Sequence, residues 1–212
     1  METRPPKAPP VPPWPGLEVR EDRIAWAGRF PLQVVRFTYR RSDGRQSREL
    51  TWELWRRGAA VAVLPYDPWS DRVALIEQFR LPALAAGLPP VMTECVAGLL
   101  EAGEAPEVAA RRECEEEAGL RPDLLESMGR YMLMQGGSDE TVDIFCARAR
   151  IPPESGGRFG LAEEEEDIRL LSLPAEDALA MLDSGAIRNA VAAIALSWLG
   201  RHRPRLIEAW RR

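Results

Sequence analysis

Between residues 17 and 57 apolar and polar positions alternate with a period of two in FPLQVVRFTYR (residues 30–40) and SRELTWELW (47–55), on either side of the turn SDGR. That period predicts an antiparallel hairpin. A hairpin alone is marginally stable in water, so this one is expected to pack on a partner surface. In AAVAVLPYDPWSDRVALIEQF (59–79) two apolar runs flank a Pro/Asp/Ser turn, which predicts a second hairpin. VMTECVAG (91–98) reads as one further strand running into Gly98. Residues 104–118 have helical character, with Pro106 suited to the first helical position and Gly119 to the stop.

The later part of the chain follows the same logic. YMLMQ, the turn GGSDE and TVDIFCARA predict a strand pair, and SGGRFGLAEEEED a polar, Gly-rich loop. IRLLSL is a strand, and PAEDALAMLDSG and IRNAVAAIALSWLG form two helices, each ended by a Gly. Strands mixed with a few helices, without regular βαβ alternation, predict an α/β (α+β) fold with a mixed sheet covered by helices. The expected divisions are a proline-rich arm (1–16), a small β domain (17–57), a main domain (58–200) and a basic tail (201–212).

Composition narrows the function. With 212 residues, 45% of them hydrophobic and 29% charged, the chain has the make-up of a soluble globular protein. A net charge of −5 gives no overall positive field for nucleic acid. No apolar run approaches the roughly 20 residues of a membrane span. The three cysteines, with no CxxC spacing, suit core positions in a reducing cytoplasm. His202 is the only histidine and sits in the expected tail, which argues against Ser-His-Asp or Cys-His chemistry. Acid–base work therefore falls to carboxylates, Lys, Tyr or water.

RRECEEEAGL (111–120) crowds four glutamates into about one and a half helical turns. At 100° per residue Glu113, Glu116 and Glu117 share a face, whereas Glu115 points away. Such crowding is either a solvated charged face relieved by Arg111 and Arg112, or a seat for a hard divalent cation. The wider spacing favours the second reading. Gly98 is followed after five residues by Glu104, and after seven more by Arg112-Glu113, Glu116-Glu117 and Gly119. This resembles the Nudix hydrolase box, G-x5-E-x7-R-E-U-x-E-E-x-G-U, where U is a bulky aliphatic residue. All seven fixed positions match; Leu120 fills one U position and Cys114 the other. Gly98 and Gly103 also have P-loop spacing, but Glu104-Ala105 stands where Lys-Ser/Thr is needed.

The flanks resemble the ADP-ribose pyrophosphatase branch of that family: GAAVAVLPYDPWSDRVALIEQFR, GGSDE, GLAEEEEDIRL and SGAIRNAVAAIALSWL occur in the family's order. The resemblance implies a Nudix-type α/β/α sandwich preceded by a small antiparallel β domain that crosses to a partner in a homodimer. It implies Mg2+-dependent (or Mn2+-dependent) hydrolysis of the small molecule ADP-ribose to AMP and ribose 5-phosphate. The carried-over metal ligands are the Ala97 carbonyl, Glu113, Glu116, Glu117 and Glu166. Glu164 is the general base, with Glu163 and Glu165 as register neighbours in a run of four glutamates. Glu104 and Arg112 form a supporting ion pair. Arg80 is expected at the diphosphate or adenosine, Glu140 at ribose hydroxyls, and Arg29 or Phe30 with Trp52 at adenine. The family often has Arg near Trp52; an indole can stack on a base as a guanidinium does. Two other functions stand beside this one: hydrolysis of another nucleotide sugar such as a GDP-hexose, and a non-catalytic nucleotide sensor.

Overall fold

The computed structural model describes residues 8–161 and 165–212. The chain divides into two compact units, one formed by residues 1–58 and 132–141, the other by 59–131 and 142–212.

In the first unit, β1 (Leu17–Ala27), β2 (Pro31–Tyr39) and β3 (Leu50–Trp55) form an antiparallel sheet in that order. The β2–β3 hairpin is the one its alternation predicts, and Gly44, at φ 82°, makes its turn. β1 was not anticipated: LEVREDRIAWA carries charge on both faces and is mostly exposed. Its bulged pairing with β2 supplies the third strand that a hairpin lacks. Gln33, Val35 and Phe37 of β2 are buried. Segment 132–141, which holds the turn of the expected strand pair, belongs to this unit. Trp55 N–H donates to the Gly137 carbonyl at 2.8 Å, and Asp139 accepts from the Arg57 N–H at 2.8 Å.

The second unit is built on an eight-stranded mixed sheet. Its strands are β4 (Ala59–Asp67), β5 (Arg72–Phe79), β6 (Val91–Glu94), β7 (Val96–Leu99), β8 (Leu124–Met132), β9 (Thr141–Arg148), β10 (Arg158–Phe159) and β11 (Ile168–Pro174). The main path runs β10-β11-β5-β4-β9-β8. Four helices accompany it: α1 (Leu81–Ala85), α2 (Pro106–Ala118), α3 (Ala175–Asp183) and α4 (Ala190–Trp210). β4 is apolar on both faces because both are covered. Ala60, Ala62, Leu64 and Tyr66 meet α3 and α4, whereas Val61 and Val63 meet Ala109, Ala110, Cys114 and Ala118 of α2. These are the three layers of an α/β/α sandwich.

Besides β8, α1 and β10, which the sequence pattern does not mark, two elements differ from it. VMTECVAG is two strands broken at Cys95: β6 pairs with β5, and β7 pairs with β4. β4 and β5 pair with each other only at Tyr66–Asp67, so the run can cross from one to the other. Also, Gly200 does not end α4. The helix continues through Pro204 to Trp210, because Leu206 and Trp210 bury their side chains in the core. Residues 201–210 are therefore helix rather than a loose basic tail. His202 lies against the Trp198 ring, with centroids 4.2 Å apart.

The end of α4 is tied to the β4–β5 turn. Asp71, at φ 57°, accepts from the Tyr66 hydroxyl (2.8 Å) and pairs with Arg203. The Arg203 guanidinium holds the Asp71 carboxyl below its usual range. Its stabilisation is thus complete above the unfolded carboxylate pKa of about 3.9 and is lost as pH falls through the lower folded value. Asp71→Asn, which tolerates the left-handed conformation, should flatten the fall in melting temperature measured as pH is lowered below 4. Leu206→Ala should cost about 2–5 kcal/mol in urea unfolding; a cost near zero would mean that residues 201–210 add nothing to the core.

Candidate active site

The site begins with a sheet edge. Ala62 pairs with Ala97 and Val61 with Gly98, which fixes the β7 backbone against α2. Gly98 is required by closeness: a Cβ there would overlap the Glu113 carboxylate. α2 starts at Pro106 and stops at Gly119, whose φ of 64° permits the turn. Gly119 and Leu120 N–H groups return to the Glu115 and Cys114 carbonyls at 3.0 Å each. Cys114 is fully buried on the sheet side of α2, which explains why an aliphatic position accepts it. All three cysteines are free and buried.

Arg112 answers much of the crowding. It makes a two-pronged ion pair with Glu104, at 3.0 Å on each oxygen, and donates to the Leu99 carbonyl at 3.2 Å. Its remaining edge meets Glu113 (2.7 Å) and Glu116 (3.0 Å). Glu117 is left out of this set. It accepts from the Ala97 N–H at 2.9 Å and is 4% exposed. Burial, with the Glu113 and Glu166 charges added, pushes its carboxyl up to about 8. Burial raises Glu113 as well. Glu115 points outward to Arg121, as expected of a solvated residue.

The acidic loop closes on the same helix. The Gly160 N–H donates to the Glu116 carbonyl at 3.2 Å, and Glu166 accepts from the Leu161 N–H at 3.1 Å. Glu166 thereby adds its charge beside Glu113 and Glu117. Glu163 and Glu164 lie outside the described residues.

Arg80 follows β5 and grips Glu94 through Nη2 at 2.7 Å; Asn189 reaches the same carboxylate at 3.3 Å. Sequence reading missed Glu94 and Asn189. Glu94 had a signal, since it is an acid inside an apolar strand run, where an unpaired charge is costly.

Among the described residues no three acidic, thiol or imidazole groups already stand close enough to hold a metal ion. The donor set nonetheless fits a hard divalent cation. It consists of carboxylates and the Ala97 carbonyl. Burial and mutual repulsion raise Glu113 and Glu117, a penalty that a cation relieves and that Arg112 meets only in part.

The remaining expected residues belong to the first unit. Arg29 and Phe30 line a cavity of about 630 Å3 with Trp26, Glu53, Trp55 and Met134. Trp52 packs edge-on against Phe37, centroids 5.3 Å apart, and is not part of that lining. Strand parity separates it from Glu53 and Trp55. Glu140 is held by Arg57, Nε to Oε1 2.6 Å, and the Arg57 guanidinium also covers the Phe30 and Trp55 rings at 4.5 and 4.7 Å. Arg57 escaped sequence reading because one Arg in WRRG carries no pattern.

Known proteins share both the motif and the wider chain. The NUDIX domain family matches residues 56–192. An ADP-ribose pyrophosphatase of Escherichia coli (strain K12) is 37% identical over 92% of each chain. One from Haemophilus influenzae is 35% identical over 92% of this chain and 91% of its own. A GDP-mannose pyrophosphatase of Cronobacter sakazakii is 33% identical over 86% of this chain and 94% of its own. The crystal structure of an ADP compounds hydrolase superposes with a TM-score of 0.66 at 22% identity, over 89% of this chain and 97% of that one, and so shares the fold. The box on α2, the sheet that carries it and this extent of likeness lead to one conclusion: the chain belongs to the Nudix hydrolase family, in the branch of the ADP-ribose pyrophosphatases.

Proposed function

We propose that the protein hydrolyses the diphosphate bond of ADP-ribose, giving AMP and ribose 5-phosphate, with Mg2+ as the natural ion and Mn2+ as a substitute. The observation that carries this reading is the buried pair Glu113 and Glu117 beside the Ala97 backbone, in a chain whose relatives at 35–37% identity are ADP-ribose pyrophosphatases. Divalent ions held there supply charge neutralisation for the diphosphate and a more acidic water. Glu113, Glu116, Glu117, Glu166 and the Ala97 carbonyl hold them. Glu104 keeps Arg112 in place. Arg80 faces the diphosphate or adenosine, while Arg29 or Phe30, Trp52 and Glu140 bind the nucleoside side.

Glu164 is assigned the proton of the attacking water, with Glu163 and Glu165 as its register neighbours. Copies of the chain form homodimers in which the small unit serves the partner's substrate. The three free thiols support a reducing cytoplasm as its location. Among the described residues no helix is long and apolar enough to cross a membrane.

The second reading, a GDP-hexose substrate, is favoured by the GDP-mannose pyrophosphatases at 33% identity. Product release from a panel of nucleotide sugars separates the two. Faster turnover of a GDP-sugar than of ADP-ribose would overturn the first.

Glu117→Gln should lower turnover beyond the ~10–100-fold typical of supporting residues around a metal site and abolish calorimetric Mg2+ uptake. Its melting temperature in chelator should not fall, because the amide can still accept from the Ala97 N–H and carries no charge to bury. Unchanged turnover would refute the ligand role. Glu164→Gln should slow hydrolysis at least ~100-fold with substrate affinity kept; the same loss in Glu163→Gln or Glu165→Gln, but not here, would move the base by one residue.

A further inference from the structure

A second cavity, of about 370 Å3, opens at the C-terminal end of α2 and is lined by Trp69, Leu120, Arg121, Asp123, Arg148 and Arg150. Its volume lies in the range of small-molecule pockets. None of these residues belongs to the site proposed for hydrolysis. Trp69 stands in the β4–β5 turn, fixed by Asp67, which accepts from the Trp69 and Ser70 N–H groups at 2.9 and 3.3 Å. The other Asp67 oxygen accepts from the Ile151 N–H at 3.2 Å.

Three arginines converge on this space in different states. Arg148 is held by Asp123 (2.8 and 2.9 Å) and by the Trp210 carbonyl (3.0 Å), so its position is fixed. Arg121 is paired with Glu115. Arg150 differs from both. Its guanidinium lies 3.4 Å from the centre of the Trp69 ring, and its nearest carboxylate is Asp67, at 3.9 Å, whose oxygens already serve three backbone N–H groups. Stacking on an indole engages the face of a guanidinium and leaves its N–H edges free. The cavity thus holds a pre-oriented donor fork, a second guanidinium fixed by its own carboxylate, and an indole that backs the first. At the end of α2 the Glu115 and Cys114 carbonyls accept from the Gly119 and Leu120 N–H groups, and Arg111 donates to the Pro122 carbonyl beside it.

We propose that this cavity is a binding site for a small phosphomonoester, separate from the hydrolytic centre. The Arg150 fork takes the phosphate oxygens, as a planar guanidinium does two at a time, while Arg148, whose bidentate edge serves Asp123, is a neighbouring fixed group. The organic part lies along Leu120 and the edge of the Trp69 ring, whose face Arg150 covers. A bare phosphate would leave most of the cavity unfilled, so the ester should be preferred.

The test is calorimetric titration of the full-length protein in chelator, where the carboxylates on α2 repel anions, with ribose 5-phosphate and inorganic phosphate as separate probes. Ribose 5-phosphate should bind saturably and at least ~10-fold more tightly than inorganic phosphate. Arg150→Gln should weaken it at least ~10-fold, with the melting temperature and the rate of hydrolysis unchanged. Trp69→Phe, which keeps an aromatic wall, should bind more tightly than Trp69→Ala. Binding unaltered in Arg150→Gln, equal affinity for the two probes, or no saturation below ~10 mM would each overturn the proposal.

Discussion

The ion pair between Glu104 and Arg112 is the constraint on which the catalytic face depends. α2 carries its acids in one cluster, and without a positive group their repulsion would oppose both the helix and its burial. Arg112 is fixed from outside the helix, by Glu104 and the Leu99 carbonyl, so it can lean on Glu113 and Glu116 without being displaced by them. The helix is thereby packed against β4 and β7 with its carboxylates still loaded toward the sheet edge. Glu117, which Arg112 does not reach, shows what remains unrelieved: its carboxyl is pushed up to about 8. One guanidinium is enough to let the element fold and too little to make it electrostatically satisfied.

Much of this was legible in the sequence because the spacing of the box is a geometric statement. Glycine at 98 leaves room for the Glu113 carboxylate, which a Cβ would displace, and glycine at 119 supplies a left-handed stop that other residues adopt only with strain. The strands β4 and β5 were legible because both faces are buried, which writes a continuous apolar run. β1 was not, since a mostly exposed strand pairs through its backbone and leaves no apolar pattern. The end of α4 was misread because Gly200 and Pro204 look like punctuation. Burial of Leu206 and Trp210, with Arg203 on Asp71, outweighs both.

Site residues outside the box were less legible for a related reason. Glu94 matters as the partner of Arg80, Asn189 as a second partner of Glu94, and Arg57 as a partner of Glu140. A partner is defined by contact across the fold, at separations of 14, 95 and 83 residues along the chain, and no local period encodes that. The run of four glutamates poses the opposite difficulty. Its chemistry is plain, but identical neighbours erase the register, because a shift of one residue leaves the sequence pattern unchanged.

The box also explains why family membership does not fix the substrate. In the proposed reading the carboxylates on α2 hold the ions that meet the diphosphate, a group that ADP-ribose and GDP-hexoses share. Discrimination between adenine and guanine must come from groups that meet the base edge. The candidates are in the small unit, where Arg29, Phe30, Glu53 and two tryptophans surround a cavity and Trp52 lies on the other face of the sheet. An acceptor-only carboxylate such as Glu53 can pair with exocyclic amines of either base, and an aromatic wall stacks on both. If the base is read there, as proposed, selectivity is a difference between two similar affinities, which a few side chains can reverse while α2 stays the same. That is consistent with relatives of both specificities lying within a few per cent of each other in identity to this chain.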